Sequence, residues 1–162
     1  MTENIIKVGM ADLNHTGHPG VLVTLGLGSC VGIALYDNRK KMIGLAHIML
    51  PWSNQAKNNA NEAKFADTGI RLLLDRMLAD GACLRNITAK IAGGAQMFSF
   101  SGSSDMMRVG QRNVEATKEV LNSLHIPVIS EDTGGNHGRT IEFYSVDGRL
   151  MIKTIGFGIK YI

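Results

Sequence analysis

Cysteine is scarce in this sequence: Cys30 and Cys83 are the only two in 162 residues, and no CxxC spacing occurs. Two thiols cannot carry a disulfide framework, and they read as free groups in a reducing compartment. Aromatic residues are few, at 6%, and no block of lysine and arginine is interleaved with them. With a net charge of only +3, the features of a nucleic-acid-binding surface are missing. The start, MTENIIKVGMADLN, carries charges where a signal peptide needs its apolar core. From Leu13 to Tyr36 there is no Asp, Glu, Lys or Arg, so a membrane span must be weighed. The apolar part from Val21 to Tyr36 is shorter than the ~20 residues a span needs. Gly26, Gly28 and Gly32 break it, and buried strands explain it better. A cytoplasmic protein, not inserted in a membrane, is the expectation. His15, His18, His125 and His137 are scattered without metal-ligand spacing, so neither a metal nor a cofactor is expected. There is no internal repeat and no linker.

What is present suits one domain spanning residues 1–162. The hydrophobic share is 44% and the charged share 19%, which is ordinary for a globular chain and long enough to bury a core. Ile5–Ala11 and Val21–Leu25 read as strands, with loop chemistry from His15 to Gly20 between them. Val31–Tyr36 and Met42–Leu50 form a pair around the polar turn Asp37–Lys41, and their near-continuous apolar character implies cover on both faces. Trp52–Asn61 is a polar loop. Apolar residues at helical spacing from Glu62 to Leu78, stopped by Gly81, predict one helix, and Gln111–Leu124 predicts a second. Ile87–Ala92, Pro127–Ser130, Thr140–Val146 and Arg149–Ile155 complete the strands, the last two around Asp147-Gly148, the strongest hairpin signal. The fold class is therefore α+β: one strand-rich domain with two long helices.

The chemistry concentrates between Val21 and Pro51. Cys30 follows the bend Gly26-Leu27-Gly28-Ser29, whose backbone N–H groups are suited to a thiolate or an oxyanion. A cysteine in an apolar stretch is more often a small core residue. Its company singles Cys30 out, because His47 lies on the next strand. If Asp37 and Lys41 flank the turn, facing positions sum to about 78, so Val31 opposes His47 and Cys30 is its near neighbour. A thiol beside an imidazole can act as nucleophile and base. Thr24 could accept a hydrogen bond from the imidazole, although β-propensity alone accounts for a threonine there. Cys83 reads as packing. LGLGSC has Val31 where a dinucleotide fingerprint needs glycine, and GGAQMF lacks the lysine of a P-loop and reads as a tight turn presenting Met97 and Phe98.

TLGLGSCVGIALYD and GLAHIMLP, followed in order by KFADTGI (64–70), IAGGAQMF (91–98), VGQRN (109–113) and EDTGGNHGR (131–139), resemble the CheD family of chemoreceptor glutamine deamidases of bacterial chemotaxis. The resemblance covers nearly the whole chain. It implies a cysteine hydrolase that converts glutamines of receptor signalling helices to glutamate, with Cys30, His47 and Thr24 at the catalytic positions. It also implies a sandwich-like fold similar to that of deamidating bacterial toxins, and a CheC-type phosphatase as a further partner. Two rival readings are a non-catalytic adaptor gripping receptor or phosphatase through Met97 and Phe98, and an amidase acting on free glutamine.

Overall fold

The structure, a computed structural model, describes residues 3–97 and 108–162. Phe98 and most of the 93–105 loop lie outside the described residues. Ten strands and two helices are found among those described. In chain order they are β1 (Asn4–Lys7), β2 (Asp12–Thr16), β3 (Gly20–Leu27), β4 (Val31–Asp37), β5 (Met42–Ile48), α1 (Ala66–Ala79), β6 (Ile87–Gly93), α2 (Val109–Ser123), β7 (Val128–Thr133), β8 (Arg139–Tyr144), β9 (Leu150–Thr154) and β10 (Gly158–Tyr161). They build two mixed five-stranded sheets, β1-β3-β8-β9-β10 and β2-β5-β4-β6-β7.

Side-chain alternation explains why the sheets stack. Leu22, Ile141, Phe143 and Ile152 of the first sheet meet Ala34, Ile43, Leu45 and Ala92 of the second in one buried cluster. The opposite parity of the second sheet, Val31, Ile33, Leu35, Ala46 and Ile48, packs with Ile70, Leu73 and Met77 of α1 and with Val120 and Leu121 of α2. β4 and β5 are thus covered on both faces, as their unbroken apolar runs require. In the first sheet the burial is less even, and β8 alternates between fully and half buried. The result is an α+β sandwich with its helices on one side, two packed sheets sharing a core.

Besides shifts of a few residues at strand and helix ends, such as β7 running on to Thr133 and α1 starting at Ala66, three details differ from the sequence reading. The first strand ends at Lys7, and His15 and Thr16 belong to β2, which pairs with β5 rather than forming a loop. The terminal strand β10 has no alternation to betray it: its four residues are all exposed and it simply extends the edge of β9. The β4–β5 turn is one residue longer than supposed. Asp37 pairs with Met42, the Asp37 carboxylate accepts the N–H groups of Arg39 and Lys40, and Lys41 turns the chain at φ 53°. Facing positions therefore sum to 79, and Gly32 rather than Val31 stands opposite His47. No helix among the described residues is long and apolar enough to cross a membrane.

Candidate active site

The three singled-out residues lie where the chain passes from one sheet to the other. β3 carries Thr24 in the first sheet, β5 carries His47 in the second, and Cys30 sits on the crossing between β3 and β4. The one-residue correction helps the site. Gly32 faces His47, and Cys30, two residues earlier, shares the face of Gly32 and Ala34 that looks into the gap between the sheets. His47 has the parity of Ile43 and Leu45, which line the same gap. Cys30 is its diagonal neighbour, a relation within reach of side-chain contact. All three side chains are buried, with Cys30 the most open at 7% exposure.

Thr24 is in hydrogen-bond contact with His47, not merely a residue suited to a strand. Its Oγ1 lies 2.7 Å from His47 Nδ1 and donates to the Val8 carbonyl at 2.7 Å. A hydroxyl has one proton to give, and a carbonyl can only accept. Thr24 therefore accepts from His47, which places the imidazole proton on Nδ1 and leaves Nε2 with a free lone pair. Nε2 is buried and has no hydrogen-bond partner among the described residues. Burial pulls the His47 pKa down from 6.5 to about 4, so the ring is neutral at pH 7. Burial pushes the Cys30 thiol up, partly offset by a hydrogen bond from its own backbone. Burial thus favours the uncharged form of each group.

The bend that carries Cys30 is laced to two other loops. Gly94 N–H donates to the Cys30 carbonyl at 2.8 Å, and Ala95 N–H to that of Gly28 at 2.9 Å. Gly93 adopts φ 111°, and a Cβ there would collide with the Cys30 carbonyl oxygen, so only glycine fits. Gly134 N–H donates to Gly93 O, and the buried Arg139 guanidinium donates to the carbonyls of Gly93 (3.4 Å) and Gly134 (2.9 Å) and to Asp132 (3.1 Å). The GG and EDTGGNHGR motifs thus brace the bend from behind. Met97 lies over it, 44% exposed: a Cβ on Gly28 would sit 3.2 Å from Met97 Cγ. Trp52 packs against the core on the helical side.

Sequence reasoning missed Asn113. Its Nδ2 donates to the Ser29 carbonyl at 2.9 Å and to the Met49 carbonyl at 3.0 Å, tying α2 to both segments of the site. A signal was available, because helical spacing places Asn113 and Thr117 on the face of Val120 and Leu121, where polar side chains need a reason. Three of the other histidines go elsewhere: His15 pairs with Asp80, His18 with Ser145, and His137 meets Phe157 edge to face. Cys83 is half buried, and its N–H donates to the Asp37 carboxylate.

The fold is a two-sheet α+β sandwich, and within it a threonine-bound imidazole and a buried free thiol line the gap between the sheets. The family model described as CheD chemotactic sensory transduction matches residues 49–154. A probable chemoreceptor glutamine deamidase CheD of Caldanaerobacter subterraneus subsp. tengcongensis is 60% identical over 162 residues, all of both chains. The chemoreceptor glutamine deamidase CheD of Halalkalibacterium halodurans is 54% identical over 160 residues, covering 98% of this chain and 99% of that one. This chain belongs to the CheD family. Among solved structures, the hypothetical protein YfiH of Bacillus licheniformis is similar at a TM-score of 0.48 and 18% identity, over 75% of this chain and 50% of that one.

Proposed function

We propose that the chain is a cysteine-dependent protein-glutamine deamidase, one catalytic domain acting on the cytoplasmic helices of chemoreceptors. The observation that carries this reading is the buried His47, its Nδ1 tied to Thr24 and its Nε2 lone pair free beside the only buried thiol. The full-length similarity to proteins named chemoreceptor glutamine deamidase supplies the substrate class.

The steps follow from the groups present. His47 Nε2 takes the Cys30 thiol proton as sulfur bonds to the glutamine side-chain carbonyl carbon, whose π electrons move to oxygen. Backbone N–H groups of the glycine bend hold the oxyanion. Collapse breaks the C–N bond, and the proton on Nε2 leaves with ammonia. Water then loses a proton to Nε2 and attacks the thioester. The C–S bond breaks, glutamate is released and the imidazolium returns its proton to sulfur. A CheC-type phosphatase that occupies the same surface would compete with receptor.

Ammonia release from a receptor signalling fragment, with free glutamine in parallel, tests the reading. Wild type releases ammonia from the fragment and not from free glutamine, Cys30→Ala and His47→Ala do not turn over, and Cys83→Ala does. Thr24→Ser retains more activity than Thr24→Val. Equal loss in Cys30→Ala and Cys83→Ala, both folded, would remove the assignment.

A further inference from the structure

Beyond its last regular pair, Val31 with Ile48, the β4–β5 ladder stops. The chains diverge there, and the residues that follow or precede, Cys30 on one side and His47 just inside the other, are the proposed nucleophile and base. What joins the two sides past that point is a side chain. Asn113 spends both protons of its amide on the carbonyls of Ser29, the residue before Cys30, and Met49, two residues after His47. Because both partners are acceptors, the orientation of the amide is settled by the contacts themselves. The side chain is fully buried, and its Oδ1 has no partner among the described residues.

We propose that Asn113 is a positioning residue that sets the separation and mutual angle of Cys30 and His47. The proposal rests on the reading of those two as nucleophile and base. Burying an amide with an orphan oxygen is a poor choice if packing alone mattered, since an apolar side chain would fill the space without stranding an acceptor. Two donors held at a fixed spacing are what only the amide supplies. Its mount is rigid as well. α2 approaches the Gly94-Ala95 loop so closely that a Cβ on Gly110 would collide with the Ala95 carbonyl oxygen, and that loop in turn holds the carbonyls of Cys30 and Gly28. Helix, loop and both edges of the site therefore move together or not at all. Asn113 touches no reacting atom, so its effect is on geometry, and a misplacement of about 1 Å can cost on the order of 100-fold in rate.

The test uses Asn113→Asp in a Cys83→Ala background, so that Cys30 is the single thiol. Aspartate keeps the shape and turns both donors into acceptors facing two carbonyls. The expected result is a kcat for receptor-fragment deamidation lower by about 100-fold with KM within about twofold. Alkylation of Cys30 by iodoacetamide at pH 7 slows, and its rate–pH curve moves to higher pH as the thiol loses its base. A folded Asn113→Asp protein with normal kcat and an unmoved alkylation curve overturns the proposal, whatever its melting temperature. If aspartate prevents folding, Asn113→Ser, too short to span both carbonyls, is measured in the same way, and normal turnover per folded molecule overturns it equally. Cys30→Ala is run alongside: retained turnover there removes the reading of the site itself, whereas a dead Cys30→Ala with a normal Asn113→Asp removes only the positioning role.

Discussion

Thr24 Oγ1 has one proton, and where that proton goes decides where the proton on His47 sits. The Val8 carbonyl takes it, so Nδ1 of the imidazole must donate and Nε2 keeps its lone pair. The same burial that frees Nε2 makes protonation of His47 unfavourable, and stability becomes pH-dependent as a result. The folded pKa, about 4, is below the ordinary 6.5, so the unfolded chain binds the proton first as pH falls. The contribution is fully present above pH 6.5 and is lost as pH drops towards 4, at up to about 1.4 kcal/mol per pH unit. Urea midpoints at pH 7 and pH 5 read this directly. Wild type should lose more stability over that interval than His47→Gln, whose side chain does not titrate; equal losses would mean that His47 is solvated. The acid limb of kcat/KM should likewise fall below the pH at which an ordinary histidine titrates.

Between residues and the molecule stand the two central strands. β4 and β5 are buried on both faces because one face meets the other sheet and the second meets the helices, and glycines mark the closest approaches. A Cβ on Gly44 would sit 2.6 Å from Met77 Sδ, where α1 rests on β5. One on Gly32 would sit 2.7 Å from Ile141 Cδ1 and 3.2 Å from Leu27 Cδ1, directly across from His47. Gly32→Ala is therefore expected to cost about 1–3 kcal/mol, the usual penalty for an extra methyl in a packed core. Gly9→Ala, with nothing within 4 Å, should leave the urea midpoint unchanged or slightly raised. A Gly32→Ala protein as stable as wild type would show that β8 yields freely, and the sandwich could not then hold His47 in place. The register of these strands was legible to within one residue. The error came from the turn, where the Asp37 carboxylate holds the Arg39 and Lys40 amides and stretches the loop to four residues.

At the scale of the molecule, Cys30 lies on the crossing between the two sheets, beside the braced glycine loops. Met97 lies over the Cys30 bend as an exposed apolar side chain, and Phe98 follows it in sequence. An apolar contact at that position suits a helical protein surface better than a free amino acid, which would call for a polar pocket with a charge for its carboxylate. Met97→Asp should raise KM for the receptor fragment by about 10-fold or more, the effect of placing a desolvated charge in an interface, while Cys30 alkylation proceeds at the wild-type rate. Unchanged KM would place the receptor contact elsewhere.

The sequence by itself determined the parts with short-range causes. Apolar runs bounded by turn residues specified most strands, helical spacing specified α1 and α2, and a glycine bend next to a cysteine, with a histidine one strand later, specified the candidate nucleophile and base. Tertiary structure alone decided the rest. Thr24 and His47 are 23 residues apart and sit in different sheets, so their hydrogen bond exists only because the sheets stack. Asn113 lies 84 residues from Ser29 and 64 from Met49, and no local pattern encodes what an amide on a helix will touch. Local propensity acts over a few residues, whereas the orientation of an imidazole and the spacing of a site are set by which surfaces pack together once the whole core has closed.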